Sequence, residues 1–428
     1  MNKRVSILFL FVLVLLLLSG CAAKPLGVKK IQKRATTDLA TLFSDQEPVA
    51  GPITLYEAMA RAIKYNLDYR LKLMEQALAK KQFGVAHYNL LPQMTVAAGY
   101  SYRNTYSGAS SRSLITNQQS LEPSTAQDKD ILSADVGVVW NMLDFGVSYV
   151  RTRQDANGVL IAQEKRNKVI QNILQDVRFA YWNAVGSEQL LKEMDQLMTT
   201  ARSALDRSKA IEGQRLRPPR EILIYQRELL ENVRVLWGLV QVLKRAQKEL
   251  AALMNISPGV SFTLAAPDST DTEVPAFNVS PKKLEQLALF MRPELREEDY
   301  RSRIGVLEVR RAMMEMLPAL SFDAGYNYDS NHFLQESTWW DVGTRVSWNI
   351  MNLFSGPANI RLAKTGLEVD RMRRKALSMA VVTQVHLALQ QYGMVKQLYT
   401  VTGDLNDVYG RISHQLKAAH NRPVAPTN

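Results

Sequence analysis

Residues 90–102 read LLPQMTVAAGYSY, and 226 positions later residues 316–328 read MLPALSFDAGYNY. A phrase written twice at this distance limits the chain to architectures built from two equivalent halves. The 226 offset holds outward from the match, placing Asn66, Leu67 and Asp68 on Arg292, Pro293 and Glu294, and Pro92 on Pro318. Beyond it the offset becomes 208, with Trp140 and Asn141 on Trp348 and Asn349, and Val177 and Ala180 on Val385 and Ala388. The difference falls in the polar, Ser-rich stretch between 103 and 131, which reads only as a loop. Each copy therefore runs helix, strand, loop, strand, long helix, within a first repeat at 53–255 and a second at 282–428. The Pro-rich residues 256–281 between them read as a linker.

The strands alternate. Leu320, Phe322, Ala324, Tyr326 and Tyr328 interleave with Ser321, Asp323, Gly325, Asn327 and Asp329. Trp340, Val342, Thr344, Val346, Trp348 and Ile350 interleave with Asp341, Gly343, Arg345, Ser347 and Asn349. The first copy does the same more weakly through Val96, Ala98, Tyr100 and Tyr102, then Ala134, Val136, Val138, Trp140 and Met142. This predicts strands at about 95–104, 132–143, 320–329 and 339–350. Lengths near ten residues suit strands that cross an outer membrane, with Tyr100, Tyr102, Trp140, Tyr326, Tyr328, Trp340 and Trp348 as interface aromatics. A sheet covering a soluble core has the same period, so the strands alone leave both readings open.

The helices decide between them. From Arg151 to Gly213 there is no proline, and Ile170, Ile173, Val177, Ala180, Ala184, Ser187, Leu191, Met194, Met198, Ala201 and Leu205 recur at alternating steps of three and four. A rod over about 151–212 is predicted, a returning helix over about 219–255, and a second rod over about 358–420. The second rod carries Val381, Val385, Ala388, Tyr392, Val395, Leu398, Val401, Leu405, Val408 and Ile412. Rods of about 60 residues, roughly 90 Å long, joined to membrane strands reach across a compartment. Four strands cannot close a barrel, and an open edge in lipid leaves backbone groups unpaired. Three copies would give twelve strands and a water-filled lumen, so a homotrimer is expected.

The N-terminus fits export. Lys3 and Arg4 precede an apolar run to Leu18, and Leu18, Ser19, Gly20 and Cys21 match the bacterial lipobox. Residues 1–20 then form a signal peptide and 21–52 a lipid-anchored segment, with Cys21, the chain's single cysteine, as the acylated residue. An uncleaved anchor helix is the competing reading, though the run is short for a span. Ala22, where an aspartate is absent, resembles sorting to the outer membrane of a Gram-negative bacterium. The formal charge of +12 raises nucleic-acid binding. The basic residues, however, are spread among acidic ones along helices without interleaved aromatics, which excludes a single-strand platform.

Together these residues resemble the TolC-type outer-membrane factor family. The resemblance rests on RPEL at 292–295, the LLP and MLP turns into strands, the Trp-Asn strand ends followed by LDFG and LFSG, and the repeat itself. It covers the chain from about Ile53 onward. It implies an α+β membrane protein: an α-helical coiled-coil barrel plus four transmembrane strands per protomer, trimerised into a twelve-stranded barrel. It also implies a passive conduit for efflux or type I secretion, with outer-membrane lipid around it and an inner-membrane transporter and periplasmic adaptor as partners. The adaptor would dock at a tip over 210–229, around Gly213, Gln214, Arg215, Arg217, Pro218 and Pro219. Acidic side chains that close such conduits at the periplasmic end correspond to Asp404 and Asp407, for which a solvated helix face is the competing reading. The resemblance also exposes a departure. Carried on, the 208 offset puts Arg220 on Asn428, so nothing in the second copy matches the returning helix at 221–255. A fragmentary sequence, an interrupted gene or a partner that fills the gap would each account for it.

No chemistry is expected. His87, His332, His386, His414 and His420 lack metal-ligand spacing, and neither an HExxH helix nor a Gly-rich phosphate loop occurs. The chain is read as a non-enzyme without cofactor or metal. A lipid-anchored periplasmic coiled-coil scaffold that does not conduct is the alternative function.

Overall fold

The computed structural model describes residues 25–120, 122–214, 218–265 and 278–420. In chain order the helices and the sheet strands are α1 (Val28–Thr41), α2 (Leu55–Tyr65), α3 (Leu67–Ala86), β1 (Gln93–Tyr102), β2 (Asp130–Asn141), α4 (Met142–Gly213), α5 (Pro219–Leu253), α6 (Pro281–Met291), α7 (Pro293–Met314), β3 (Ala319–Asp329), β4 (Thr338–Ser347) and α8 (Met351–His420). They fall into two compact units that cut across the repeat: Met1–Asn66 with Ile173–Pro267, and Leu67–Asn172 with Asp268–Asn428.

In the first unit α2 begins where the Thr54 side chain accepts from the backbone N–H of Glu57 at 3.2 Å, a regular N-cap. Its buried residues include Arg61, whose guanidinium is consumed by Glu57 at 2.9 Å and the carbonyls of Glu47 and Pro48 at 2.9 and 3.2 Å. The core gathers Ile53, Val177, Tyr181, Leu250 and Met254. Tyr181 donates to the carbonyls of Ala265 and Ile53, at 2.7 and 3.1 Å, so its hydroxyl is satisfied although the ring is buried. Residues 256–265 thus do more than link: Leu264 pairs with Ile53 in a parallel bridge, and the Ala265 N–H donates to the Ile53 carbonyl at 2.9 Å. The predicted heptad is the covered stripe of α4 in this unit, with Ile173, Val177, Ala180, Ala184, Ser187 and Met198 buried.

The second unit holds a four-stranded antiparallel sheet in the order β1-β2-β3-β4, a two-residue antiparallel pairing of 108–109 with 124–125 in the loop between β1 and β2, and α3, α6, α7, α8 and the first part of α4. Both long helices start earlier than the periodicity predicts. Asn141 caps α4, its Oδ1 accepting from the N–H groups of Leu143 and Asp144 at 2.9 and 3.2 Å. Asn349 caps α8, accepting from Met351 at 3.1 Å. An Asn cap lets strand pass directly into helix, so the helices begin at Met142 and Met351 rather than near 151 and 358, and Pro357 lies inside α8. For the same reason β4 ends at Ser347, short of the expected 350. The strands of the first copy lie two residues earlier than read, at Gln93–Tyr102 and Asp130–Asn141, because β1 starts directly after Pro92. Helix α8 is 70 residues long, roughly 105 Å at helical rise. From Met394 to Leu416 its apolar residues are exposed, among them Leu398, Val401, Leu405 and Ile412.

Candidate functional site

The register assigns every sheet residue to a face, since directly opposed residues of antiparallel strands share one. Val96 opposes Val136, which opposes Tyr326, which opposes Trp340. Met94, Val138, Ala324 and Val342 form the next row, and Ala98, Ala134, Tyr328 and Thr338 another. One face is therefore apolar across all four strands. The other carries Thr95, Asp135, Ser321, Asp323, Asn327, Asp329, Asp341 and Arg345.

Burial along the inner strand β3 is inverted. Along β3 the polar positions are half-buried, while Leu320, Phe322, Ala324, Tyr326 and Tyr328 are exposed. Val342 and Val96 are 82% and 75% exposed. A water-soluble sheet shields its apolar face; β3 half-buries its polar positions instead, whereas β1 is exposed along its whole length and Asp341 and Arg345 of β4 are exposed together with their apolar neighbours.

The aromatics divide between the two ends. Tyr100 and Tyr102 close β1 at the loop end, and Tyr328 lies one row further in; the Tyr326–Trp340 pair, whose rings lie 4.9 Å apart, shares the next row with Val96 and Val136. At the helix end Trp140 meets Phe145 edge-on at 5.7 Å, and the Trp348 indole N–H donates to the Met316 carbonyl at 3.1 Å. The row of Met94, Val138, Ala324 and Val342, aliphatic throughout, lies between the Tyr326–Trp340 row and the Trp140–Phe322 row.

Two features of the polar face escaped the sequence reading. Asp323 opposes Gly343, and Asp341 opposes Gly325. A Cβ on Gly343 would meet the Asp323 carboxylate at 2.4 Å, and one on Gly325 the Asp341 carboxylate at 2.9 Å. Each acid thus packs over the glycine of the partner strand, and Asn327 also bonds Asp341. The repeated Asp-x-Gly in 323–325 and 341–343 was the available signal, because antiparallel pairing sets each Asp against the other strand's Gly. The second feature joins the loops beyond the strands. Asn331 donates to the Ala126 carbonyl at 3.0 Å and accepts from the Asp128 N–H at 3.1 Å, while the His332 N–H donates to Asp128 at 2.7 Å. That donation and the imidazole beside it hold the Asp128 carboxyl below its usual range.

The other expected residues are placed as follows. Gly213 and Gln214 end α4, and Pro218 and Pro219 open α5 with Pro219 at the first helical position. The Gln226 amide joins these helices by donating to Glu212 at 2.8 Å. Arg215, Arg217 and Cys21 lie outside the described residues. Asp404 and Asp407 are one turn apart on the exposed end of α8, with no partner among the described residues. No cluster of His, Cys, Asp and Glu among those residues could hold a metal ion.

Solved structures share this arrangement. The outer-membrane channel OprN superposes with a TM-score of 0.64 at 16% identity, over 85% of this chain and 79% of its own. The Campylobacter jejuni CmeC outer membrane channel gives 0.63 at 15%, over 88% and 81%. A membrane protein from Pseudomonas aeruginosa gives 0.60 at 15%, over 88% of each chain. The chain has the TolC-type outer-membrane channel fold. No family model matches the sequence, and no curated protein does. The TolC-type fold is thus carried here by burial pattern and topology at identities where sequence comparison is silent.

Proposed function

We propose that this chain is the outer-membrane channel subunit of an export system. Three copies join their sheets edge to edge into a twelve-stranded barrel, apolar face to lipid and polar face to a water-filled lumen. The observation that carries this reading is a largely exposed apolar face that runs across all four strands of an open sheet whose outer strands, β1 and β4, each have one unpaired edge. In lipid those edges must pair with further copies. The exposed apolar residues of α8 from Met394 to Leu416 support association of the helices as well.

On this reading Cys21 is acylated after removal of residues 1–20, and the duplicated halves each supply one hairpin. The turn between α4 and α5 docks a periplasmic adaptor, an inner-membrane transporter supplies the energy, and Asp404 and Asp407 line the periplasmic end. The channel is passive and performs no catalysis. The aromatics at both ends of the strands sit at the two membrane interfaces.

The test is to reconstitute the purified full chain in planar bilayers and to compare heated and unheated samples on denaturing gels. Ion-conducting steps, with a heat-labile trimer that collapses to a monomer lighter than the 48.3 kDa of the full 428-residue chain by the removed signal peptide, are expected. Helical oligomers without β signal and without conductance would replace the channel with the periplasmic scaffold.

A further inference from the structure

Shifting β1 by 226 positions and β2 by 208 carries all ten pairs of the first hairpin onto the ten pairs of the second, from Gln93–Val139 onto Ala319–Ser347 to Tyr102–Asp130 onto Tyr328–Thr338. The two hairpins therefore share one register. They meet at a single seam, where β2 and β3 pair over nine residues, from Ser133–Asp329 to Asn141–Ser321. The edges left over are those of β4, the equivalent of β2, and of β1, the equivalent of β3.

Both free edges stop short of their equivalents. β2 runs to its cap residue Asn141, which pairs with Ser321, but β4 ends at Ser347, two residues before its own cap Asn349. β3 runs to Asp329, which pairs with Ser133, but β1 ends at Tyr102, one residue before the position equivalent to Asp329, Arg103. The residues that fall outside the strands, Trp348, Asn349 and Arg103, are those whose inner equivalents the seam holds in place. Exposure follows the same division. Tyr100 and Tyr102 on the edge are 68% and 64% exposed, against 41% and 37% for their equivalents Tyr326 and Tyr328.

We propose that the β4 edge of one copy joins the β1 edge of the next in the register of the inner seam, which sets Val342, Val346 and Trp348 opposite Tyr102, Ala98 and Val96 of the next copy. This rests on the channel reading above and adds the residue pairing to it. A slip by one residue would turn the apolar face of one copy to the polar face of its neighbour. A slip by two keeps the faces, and there charge decides. In the register of the inner seam Asp341 opposes Arg103 of the next copy, an opposite-charge pair across strands. A slip of two residues either way sets Asp341 against Ser101 or Thr105 instead. The junction then has the nine pairs of the seam that already holds the two hairpins together.

Paired cysteines in the full chain test the register: Val346→Cys with Ala98→Cys, and Ser347→Cys with Ala97→Cys. Neighbouring cross-strand pairs alternate between closer and wider spacing, so the two designs cover both kinds. Within one copy β1 and β4 are three strand spacings apart, about 14 Å, too far for a disulfide. Cys21 is the single native cysteine, so the unsubstituted chain is the control. After oxidation of the purified protein with copper phenanthroline, at least one design should give a trimer that survives heating and is lost on reduction. The yield should be several-fold higher than when Val346→Cys is combined with Val96→Cys or Tyr100→Cys, or Ser347→Cys with Thr95→Cys or Gly99→Cys. Those diagonal partners would lie about 7–8 Å away, at the limit of a disulfide or beyond it. A stronger link at a diagonal pair overturns the register and leaves the edge-to-edge trimer standing. No link at any pair, in a chain that still runs as a heat-labile trimer and conducts, overturns it as well by placing the junction elsewhere. If the chain neither trimerises nor conducts, the channel reading fails first and the register with it.

Discussion

Glu298 shows what single residues contribute beyond the pattern. It is buried on α7, its Oε2 has no partner among the described residues, and its other oxygen is 3.5 Å from the Arg301 Nε. Arg301 is drawn more closely to Glu297, at 2.5 Å. Burial pushes the Glu298 carboxyl up, against the pull of Arg301 and Arg373 and with the help of Glu297 and Asp370. A raised folded-state pKa means that the proton favours the folded chain. The associated stability is fully present below the ordinary glutamate range and is lost as pH rises through the folded value. Glu298→Gln keeps the shape and drops the charge. It should therefore match the native protein in acid and exceed it at neutral pH by on the order of 1 kcal/mol, the scale of one unsatisfied polar group, as read by thermal melts across pH. None of this was legible in the sequence, where Glu298 is one of many helix carboxylates beside basic neighbours. Only the packing of α7 against α8 distinguishes it. The buried Tyr181 was equally hidden, because its two carbonyl partners, Ile53 and Ala265, come from the very start of the first repeat and from a stretch read as a linker.

The sequence reading reached further at the level of elements. Two-residue alternation specified which strand residues share a face, since a strand has only two faces and the register must keep the apolar set together. The three-and-four spacing located the covered stripe of α4. The ends of elements were less legible because caps, not periodicity, set them. Asn141 and Asn349 had been read as strand-end markers, yet their side chains start α4 and α8 by accepting backbone N–H groups. Asn141→Ala and Asn349→Ala should each cost about 1 kcal/mol, visible as a fall of roughly 2 °C in the far-ultraviolet melt, whereas Ser or Asp at either position should restore most of it. If both alanine variants melt with the native chain, the caps are incidental and the strand-to-helix corners are held by Trp140, Trp348 and their contacts instead. Helix α1 was missed altogether, because an amphipathic stretch of 14 residues next to an export signal was absorbed into the anchored segment.

The charge of the lumen is a property of the whole assembly. On the proposed trimer each protomer turns Asp135, Asp323, Asp329 and Asp341 toward the water-filled interior, and Arg345 is the one basic strand residue on that face. Each face is set by register, so the balance follows from the same alternation that makes the outside apolar. A ring of carboxylates in a narrow aqueous passage attracts cations and repels anions. Asp323 and Asp341 are held over glycines at the sheet surface rather than extended into the passage, so the effect comes from fixed wall charge. A reconstituted channel bathed in a potassium chloride gradient near 0.1 M, where screening extends about 10 Å, should show a reversal potential on the cation side. In molar salt, where the screening length falls to about 3 Å, the preference should largely disappear. Changing all four aspartates to Asn should bring the reversal potential close to zero at low salt, or across it as Arg345 becomes the dominant wall charge, while the single-channel conductance stays within the same range. An anion-selective native channel would place the polar face and its carboxylates away from the conducting path, and with them the assignment of that face to the lumen.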